Sequence, residues 1–278
     1  MQYPKIEPKE RKAEGSLIER GQDESASFGF RKVPAAEKVR LVQRHFDAIA
    51  SKYDFMNTLL SFGLHYGWKK KAIQALGLKP GDWAIDVCGG TADLSILAAR
   101  TVGPEGRVFL YDINRAMMEE GEKKVAKAGL SGRVRFIQGN AEQIAFPEGT
   151  FDATMVGFGI RNVTRVEKSL REMYRSLKPG GKFMCLEFSR PTSRLFRGLY
   201  DLYSFRIMPL AGKILAGNRP GYTYLAESIR LFPVQEEFSG ILKGVGFSEV
   251  TYTNLTNGIA AVHIGIKNSP QSTVGSPQ

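Results

Sequence analysis

Residues Trp83-Ala84-Ile85-Asp86-Val87 form an apolar run with β character, and it breaks at Cys88-Gly89-Gly90-Thr91-Ala92-Asp93. A helical pattern then resumes through Leu94, Ile96, Leu97, Ala98 and Ala99. A buried strand, a tight glycine turn and a helix N-terminus make the opening βα unit of an open α/β sheet. Glycine there lets the backbone approach a ligand closely. The first helical turn has N–H groups without intrahelical partners, able to bind a carboxylate or phosphate. Taken alone, the turn fits a purely structural strand–helix corner equally well.

The next strand separates these readings. Arg107-Val108-Phe109-Leu110-Tyr111 is a second apolar run and ends at Asp112. An acid roughly 20 residues past the glycines is placed to bind both hydroxyls of a ribose. NAD and S-adenosylmethionine share that requirement, and the loop decides between them. A dinucleotide site needs G-x-G-x-x-G to clear a pyrophosphate. Here Gly89 and Gly90 stand adjacent, flanked by Asp86 and Asp93. Those acids would repel a pyrophosphate and attract the ammonium and sulfonium of S-adenosylmethionine. The segment D-V-C-G-G-T-A-D resembles the first motif of class I methyltransferases, with Ala92 where that motif usually has another glycine.

The rest of the chain keeps the same rhythm. Strands are expected at 107–111, Arg133–Gln138, Phe151–Val156 and Lys182–Phe188, with helices near Ala116–Ala128 and Val166–Leu177 and a turn at Lys178-Pro179-Gly180-Gly181. Alternating strands and helices imply a largely parallel sheet. A last helix near Val234–Val245 precedes strands Phe247–Leu255 and Ile259–Lys267, joined at Thr256-Asn257-Gly258. Asn-Gly is a strong hairpin signal. The expected fold is therefore Rossmann-like α/β, a seven-stranded mostly parallel sheet ending in an antiparallel hairpin.

Before the core, residues 34–50 form an amphipathic helix carrying Val39, Val42, Phe46 and Ile49. An aromatic-dense stretch from Tyr53 to Trp68 leads into a helix from Tyr66 to Leu76. Residues 190–232 break the βα rhythm. They read as an insertion with Phe196, Tyr200, Tyr203 and Ile207 at helical spacing among Arg194, Arg197, Arg206, Lys213 and Arg219. The expected layout is a disordered extension over 1–27, a methyltransferase domain over 28–267 and a disordered tail over 268–278. Within the domain, 28–80 is a helical substrate-side lid and 81–189 the cofactor core.

The 278 residues and 42% hydrophobic content suit one large domain. Two cysteines suggest a reducing compartment, and with three scattered histidines they offer no metal-ligand spacing. No apolar run is long enough to span a bilayer. The formal charge of +11 points to an anionic partner, either nucleic acid or a membrane surface.

Two long segments carry a closer resemblance: Y-D-F-M-N-T-L-L-S-F-G-L-H-Y-G-W at 53–68 and R-S-L-K-P-G-G-K-F-M-C-L-E-F-S at 175–189. Shorter matches are S-F-G-F near 28, F-G-I-R-N-V at 158–163, Y-L-A-E-S-I at 224–229 and N-L-T-N-G-I-A-A-V-H at 254–263. Together they resemble the quinone C-methyltransferases of ubiquinone and menaquinone biosynthesis. The resemblance implies methyl transfer from S-adenosylmethionine to a ring carbon of a reduced, polyprenylated quinone. It places Thr91, Asp112, Asn140 and Ala141 at the cofactor, beside Asp86, Gly89 and Gly90. Gly157, where ubiquinone-type members commonly have serine, favours demethylmenaquinol, with the benzoquinol precursor of ubiquinone as the alternative.

A hydroquinone carbon becomes nucleophilic when the adjacent hydroxyl is deprotonated, so the site needs a base or a cation for the phenolate. Arg161, at the carboxyl edge of the sheet, is the expected phenolate partner. His65 and Tyr53 are expected in proton transfer or ring positioning. The expected setting is cytoplasmic, peripheral at the inner face of the membrane, with the Arg- and Tyr-rich insertion touching lipid or forming a homo-oligomer contact. A base-amino methyltransferase of nucleic acid would carry D/N-P-P-Y/F after strand four, where this chain reads V-G-F-G-I-R-N. Nucleic acid is therefore not expected as a partner. A non-catalytic membrane module is the remaining alternative, and a complete cofactor motif argues against it.

Overall fold

The computed structural model describes residues 25–216 and 219–269. The expected extension and tail lie largely outside the described residues. Ser25–Ser27 were expected within that extension. They belong instead to a short antiparallel hairpin, β1 (Ser25–Phe28) and β2 (Arg31–Pro34). The hairpin is held at long range: Phe28 stacks on Tyr224 at 4.2 Å, and the Phe30 N–H donates to the Glu227 carboxylate at 3.0 Å.

Three helices follow, α1 (Ala35–Ile49), α2 (Tyr53–Leu60) and α3 (Leu64–Leu76). Gly63 and Gly77, both left-handed, flank α3, where a Cβ would be strained. The core then runs β3 (Trp83–Val87), α4 (Asp93–Val102), β4 (Arg107–Asp112), α5 (Arg115–Lys127), β5 (Val134–Gln138), β6 (Phe151–Gly157), α6 (Val166–Ser176) and β7 (Leu177–Phe188). The segment 190–232 folds as α7 (Arg194–Leu202), a π-helical turn Tyr203–Ile207, α8 (Met208–Ala216) and α9 (Arg219–Leu231). The chain closes with α10 (Gln235–Val245), β8 (Phe247–Leu255) and β9 (Ala260–Lys267).

The seven-stranded sheet has the order β5-β4-β3-β6-β7-β9-β8. β3, β4, β5, β6 and β7 pair in parallel, whereas β9 runs antiparallel to β7 and β8. Alternation along β3 sorts the core into two layers. Ala84 joins one layer with Ala98, Val102 and Leu76, and Ile85 joins the other with Phe151, Met173 and Leu242. With both faces covered, the parallel strands read as near-continuous apolar runs. The strand order reverses between β3 and β6, which run parallel, and this is the switch point where open α/β sheets bind ligands beyond their carboxyl ends.

One expected turn is absorbed into a strand. Lys178-Pro179-Gly180-Gly181 lies inside β7, where pairing jumps from Phe151↔Leu177 to Ala153↔Lys182. The extra residues form a bulge, and Gly180, at φ +75°, supplies the left-handed step it needs.

Candidate active site

The expected cofactor residues come together. Asp86, Gly89, Gly90, Thr91, Asp112, Asn140 and Ala141 all line one cavity at the carboxyl ends of β3, β4 and β5. Helix α1 covers it, contributing Val39, Val42, Gln43 and Phe46. The cover is fastened by Asn114, whose Nδ2 donates to Asp47 Oδ1 at 2.8 Å while its Oδ1 caps the first turn of α5.

Asp112 is buried, and each carboxylate oxygen already accepts one backbone N–H, from Gly90 at 2.9 Å and Asn114 at 2.8 Å. Each oxygen keeps a further acceptor site, the number that two ribose hydroxyls require. Burial raises the Asp112 carboxyl above its ordinary range, and the backbone donors work against that rise. Asp86 is buried with Oδ2 held by the Ser95 hydroxyl at 2.7 Å, while its Oδ1 has no partner among the described residues. Desolvation pushes this carboxyl up to about 7. At Gly89 a Cβ would lie 2.6 Å from Leu110 Cγ and 3.1 Å from the Asp86 carbonyl, so the backbone packs too closely for any side chain.

Other expected contacts are partly spoken for. Thr91 lines the cavity but already donates its hydroxyl to Asp54 Oδ1 at 2.7 Å. Asn140 Oδ1 accepts the Glu142 N–H at 2.9 Å, leaving the amide nitrogen to meet a ligand. Asp93, read from sequence as an attraction for the sulfonium, pairs instead with Lys69 at 2.5 Å and with Lys124. Despite burial, the two lysines pull its carboxyl down to about 2. Lys124 also bridges to Asp54 at 2.6 Å, so the cluster ties α2 to the start of α4. Asp93 thus fastens the lid, and Asp86 is the acid with a free oxygen.

A second cavity adjoins the first. It holds Arg161, His65 and Tyr53, and its walls are aromatic, among them Trp68, Phe188, Tyr200 and Tyr222. Phe46, Tyr53, Lys69, Phe158 and Asn162 line both cavities and form their common wall.

Arg161 does not stand free in this cavity. Its Nη1 pairs with Glu187 at 2.7 Å and also meets the Phe158 carbonyl, and Nε reaches Ser228 Oγ at 3.4 Å. Burial raises the Glu187 carboxyl, and the Arg161 charge opposes that rise. The His65 ring lies 3.9 Å from that of Tyr66, tilted by 36°, and its Nε2 lies 3.2 Å from Thr58 Oγ1, while Nδ1 has no partner among the described residues. Desolvation, with the nearby Lys69 charge next, lowers His65 to about 4. It is therefore neutral and weakly basic at physiological pH. Sequence reasoning missed Glu187 and His45. His45 also lines the second cavity and is lowered to about 4 by burial and by Arg161. Glu187 stands inside the quoted L-E-F-S segment, but only the fold shows its partner.

The model of the ubiE/COQ5 methyltransferase family matches residues 32–267. This chain belongs to the ubiE/COQ5 methyltransferase family. It is a UbiE-type, S-adenosylmethionine-dependent methyltransferase. Similar proteins include the "Ubiquinone/menaquinone biosynthesis C-methyltransferase UbiE" of Marinomonas sp. (strain MWYL1), 47% identical over 88% of this chain and 98% of that protein. The protein of the same name from Azotobacter vinelandii is 46% identical over 89% of this chain and 98% of its own. Among solved structures, the [4+2]-cyclase SpnF shares the fold at a TM-score of 0.61 and 14% identity, over 82% of this chain and 96% of that one. Phosphoethanolamine N-methyltransferase 2 of Haemonchus contortus, in complex with S-adenosyl-L-methionine, aligns at 0.54 and 16%, over 72% of this chain and 52% of that one.

The first cavity fits the methyl donor of this family. Asp112 has acceptor capacity for the ribose, Asp86 has an oxygen orphaned among the described residues for the ammonium, and Gly89 and Gly90 line the cavity with backbone alone. When bound, the donor supplies an electrophilic methyl on its sulfonium.

Proposed function

We propose that this enzyme methylates a ring carbon of a reduced, polyprenylated quinone, with demethylmenaquinol the preferred acceptor and the benzoquinol precursor of ubiquinone second. The observation that carries the reading is the common wall. A cofactor-type cavity and a large aromatic-lined cavity meet at Phe46, Tyr53, Lys69, Phe158 and Asn162. A flat ring seated beyond that wall faces the cofactor across it. The names of the similar proteins include both quinone types.

In this reading the chain's residues divide the work as follows. Asp112 holds the ribose, Asp86 the ammonium, Gly89 and Gly90 the donor's backbone approach, and Asn140 and Ala141 the adenine edge. Thr91 acts through its main chain. Arg161, neutralised by Glu187, offers the phenolate a hydrogen bond from Nη2, since guanidinium is too weak an acid to serve as a base. Tyr53, on the common wall, positions the ring. His65, at about 4, contributes shape and a neutral hydrogen bond more than proton uptake. The prenyl tail extends through the aromatic cavity, and the enzyme works peripherally at the inner face of the membrane.

Gly157 also has a local cause. A Cβ there would lie 2.4 Å from Leu94 Cδ1, so serine would require Leu94 to move. The glycine therefore carries less weight for the naphthoquinol than the sequence pattern alone gives it. Competition between demethylmenaquinol and the benzoquinol at equal concentration tests the order. A higher kcat/KM for the naphthoquinol is expected, and a higher value for the benzoquinol would reverse it.

A further inference from the structure

Phe62, Leu64 and Leu199 line the acceptor cavity, yet they are 80%, 43% and 59% exposed. They mark its mouth. From that mouth two exposed apolar stripes run outward. On α7, Leu195, Leu199 and Leu202 follow helical spacing, and Ile207, Leu210 and Ile214 continue it through the π-helical turn and α8. On α2, Phe55 and Leu59 are exposed one turn apart. Tyr203 joins the two sides: its hydroxyl donates to the Leu60 carbonyl at 2.6 Å and its ring lies 6.1 Å from Phe62. The stripes therefore share one rim around the cavity mouth. Contiguous exposed apolar surface of this kind marks an interaction site.

Charge selects the occupant. Arg194, Arg197, Arg206 and Lys213 are exposed on the same helices. The sole acid between 194 and 216 is Asp201, which is ion-paired with Arg230. In a twofold dimer through this rim each cation cluster would face its own copy, because an isologous contact sets a patch against itself. An apolar stripe flanked by cations suits an anionic lipid surface.

We propose that this rim is a docking surface for an anionic lipid bilayer, and that the prenyl tail enters between Phe62 and Leu199 without crossing water. The tail route rests on the quinol reading above; the docking surface does not.

Co-sedimentation of the full chain with vesicles of phosphatidylcholine containing phosphatidylglycerol tests it, alongside Leu195→Ser/Leu202→Ser/Ile214→Ser, three positions outside the cavity. The wild type should bind the anionic vesicles more than phosphatidylcholine alone, and the variant should lose about tenfold or more of that partition. Methyl transfer to a tail-less, water-soluble demethylnaphthoquinol should be equal for the two proteins. Unchanged vesicle binding by the variant, or no binding by the wild type, overturns the docking surface. A wild-type dimer that the substitutions convert to monomer would overturn it in favour of a second copy. If neither protein turns over the tail-less quinol, the quinol reading fails, while the vesicle result still decides the docking surface.

Discussion

Arg161 Nη1 lies 2.7 Å from Glu187 Oε1, and their side chains are only 6% and 3% exposed. A buried pair of this kind costs far more to break than to replace. Arg161→Ala should therefore lower stability by about 3–5 kcal/mol, because it strands a buried carboxylate. Among molecules still folded, it should raise the barrier to methyl transfer by about 2–4 kcal/mol while cofactor affinity holds. Thermal melts, calorimetry with S-adenosylhomocysteine and kcat at a permissive temperature check all three. Lost cofactor affinity with a normal kcat would make Arg161 a cofactor-binding residue.

Asp112→Ala should abolish useful cofactor binding. Each charge-assisted ribose bond contributes roughly 1.5–3 kcal/mol. Losing two corresponds to about a hundredfold or more in Kd. The variant also strands the Gly90 and Asn114 N–H groups that Asp112 now accepts. Calorimetry showing unchanged affinity would contradict the placement of the ribose at β4.

Asp86 gives the cofactor a pH dependence. Its folded carboxyl sits at about 7 against an ordinary 3.8, so its contribution favours the folded apo-protein at low pH and is lost as pH rises through 7. An ammonium bound at Oδ1 reverses that preference for the ionised form. Affinity for S-adenosylhomocysteine should thus rise by about tenfold between pH 6 and pH 7.5. 5′-Methylthioadenosine has the ribose without the ammonium and should show a smaller rise, since it still engages Asp112. Equal slopes for the two ligands would remove Asp86 from ammonium binding.

His65 should leave the rate profile near neutrality untouched. Desolvation and Lys69 hold it at about 4, so it neither gains nor loses a proton between pH 6 and 8. A His65→Gln variant should keep the wild-type pH–rate shape over that range, whatever its effect on the absolute rate. An inflection near 6.5 that vanishes in the variant would restore His65 as the base.

Much of this architecture is written locally in the chain. The β3–α4 corner and the central strands β4, β6, β7 and β9 are legible because burial on both faces yields apolar runs, whereas the exposed edge strand β8 is legible through its neighbouring Asn257-Gly258 turn. The cofactor residues are legible because the fold places them at strand ends. What escaped depends on distant partners. β1 and β2 are four residues each, too short for the alternation in Ser25-Ala26-Ser27-Phe28 to stand out, and are held by Phe28 on Tyr224 and Phe30 on Glu227. Asp93 looked like a cofactor acid because Lys69 and Lys124 reach it from other helices. Arg161 looked free because Glu187 stands one strand away. Lys178-Pro179-Gly180-Gly181 carries turn chemistry that the sheet uses as a bulge.

The most direct test of the account is transfer of a labelled methyl from S-adenosylmethionine to a demethylated naphthoquinol, with the label's position read by NMR and a parallel reaction on RNA. The common wall between the two cavities predicts label on a ring carbon of the quinol and none in RNA. Label on a quinol oxygen, or in RNA with the quinol untouched, would contradict it.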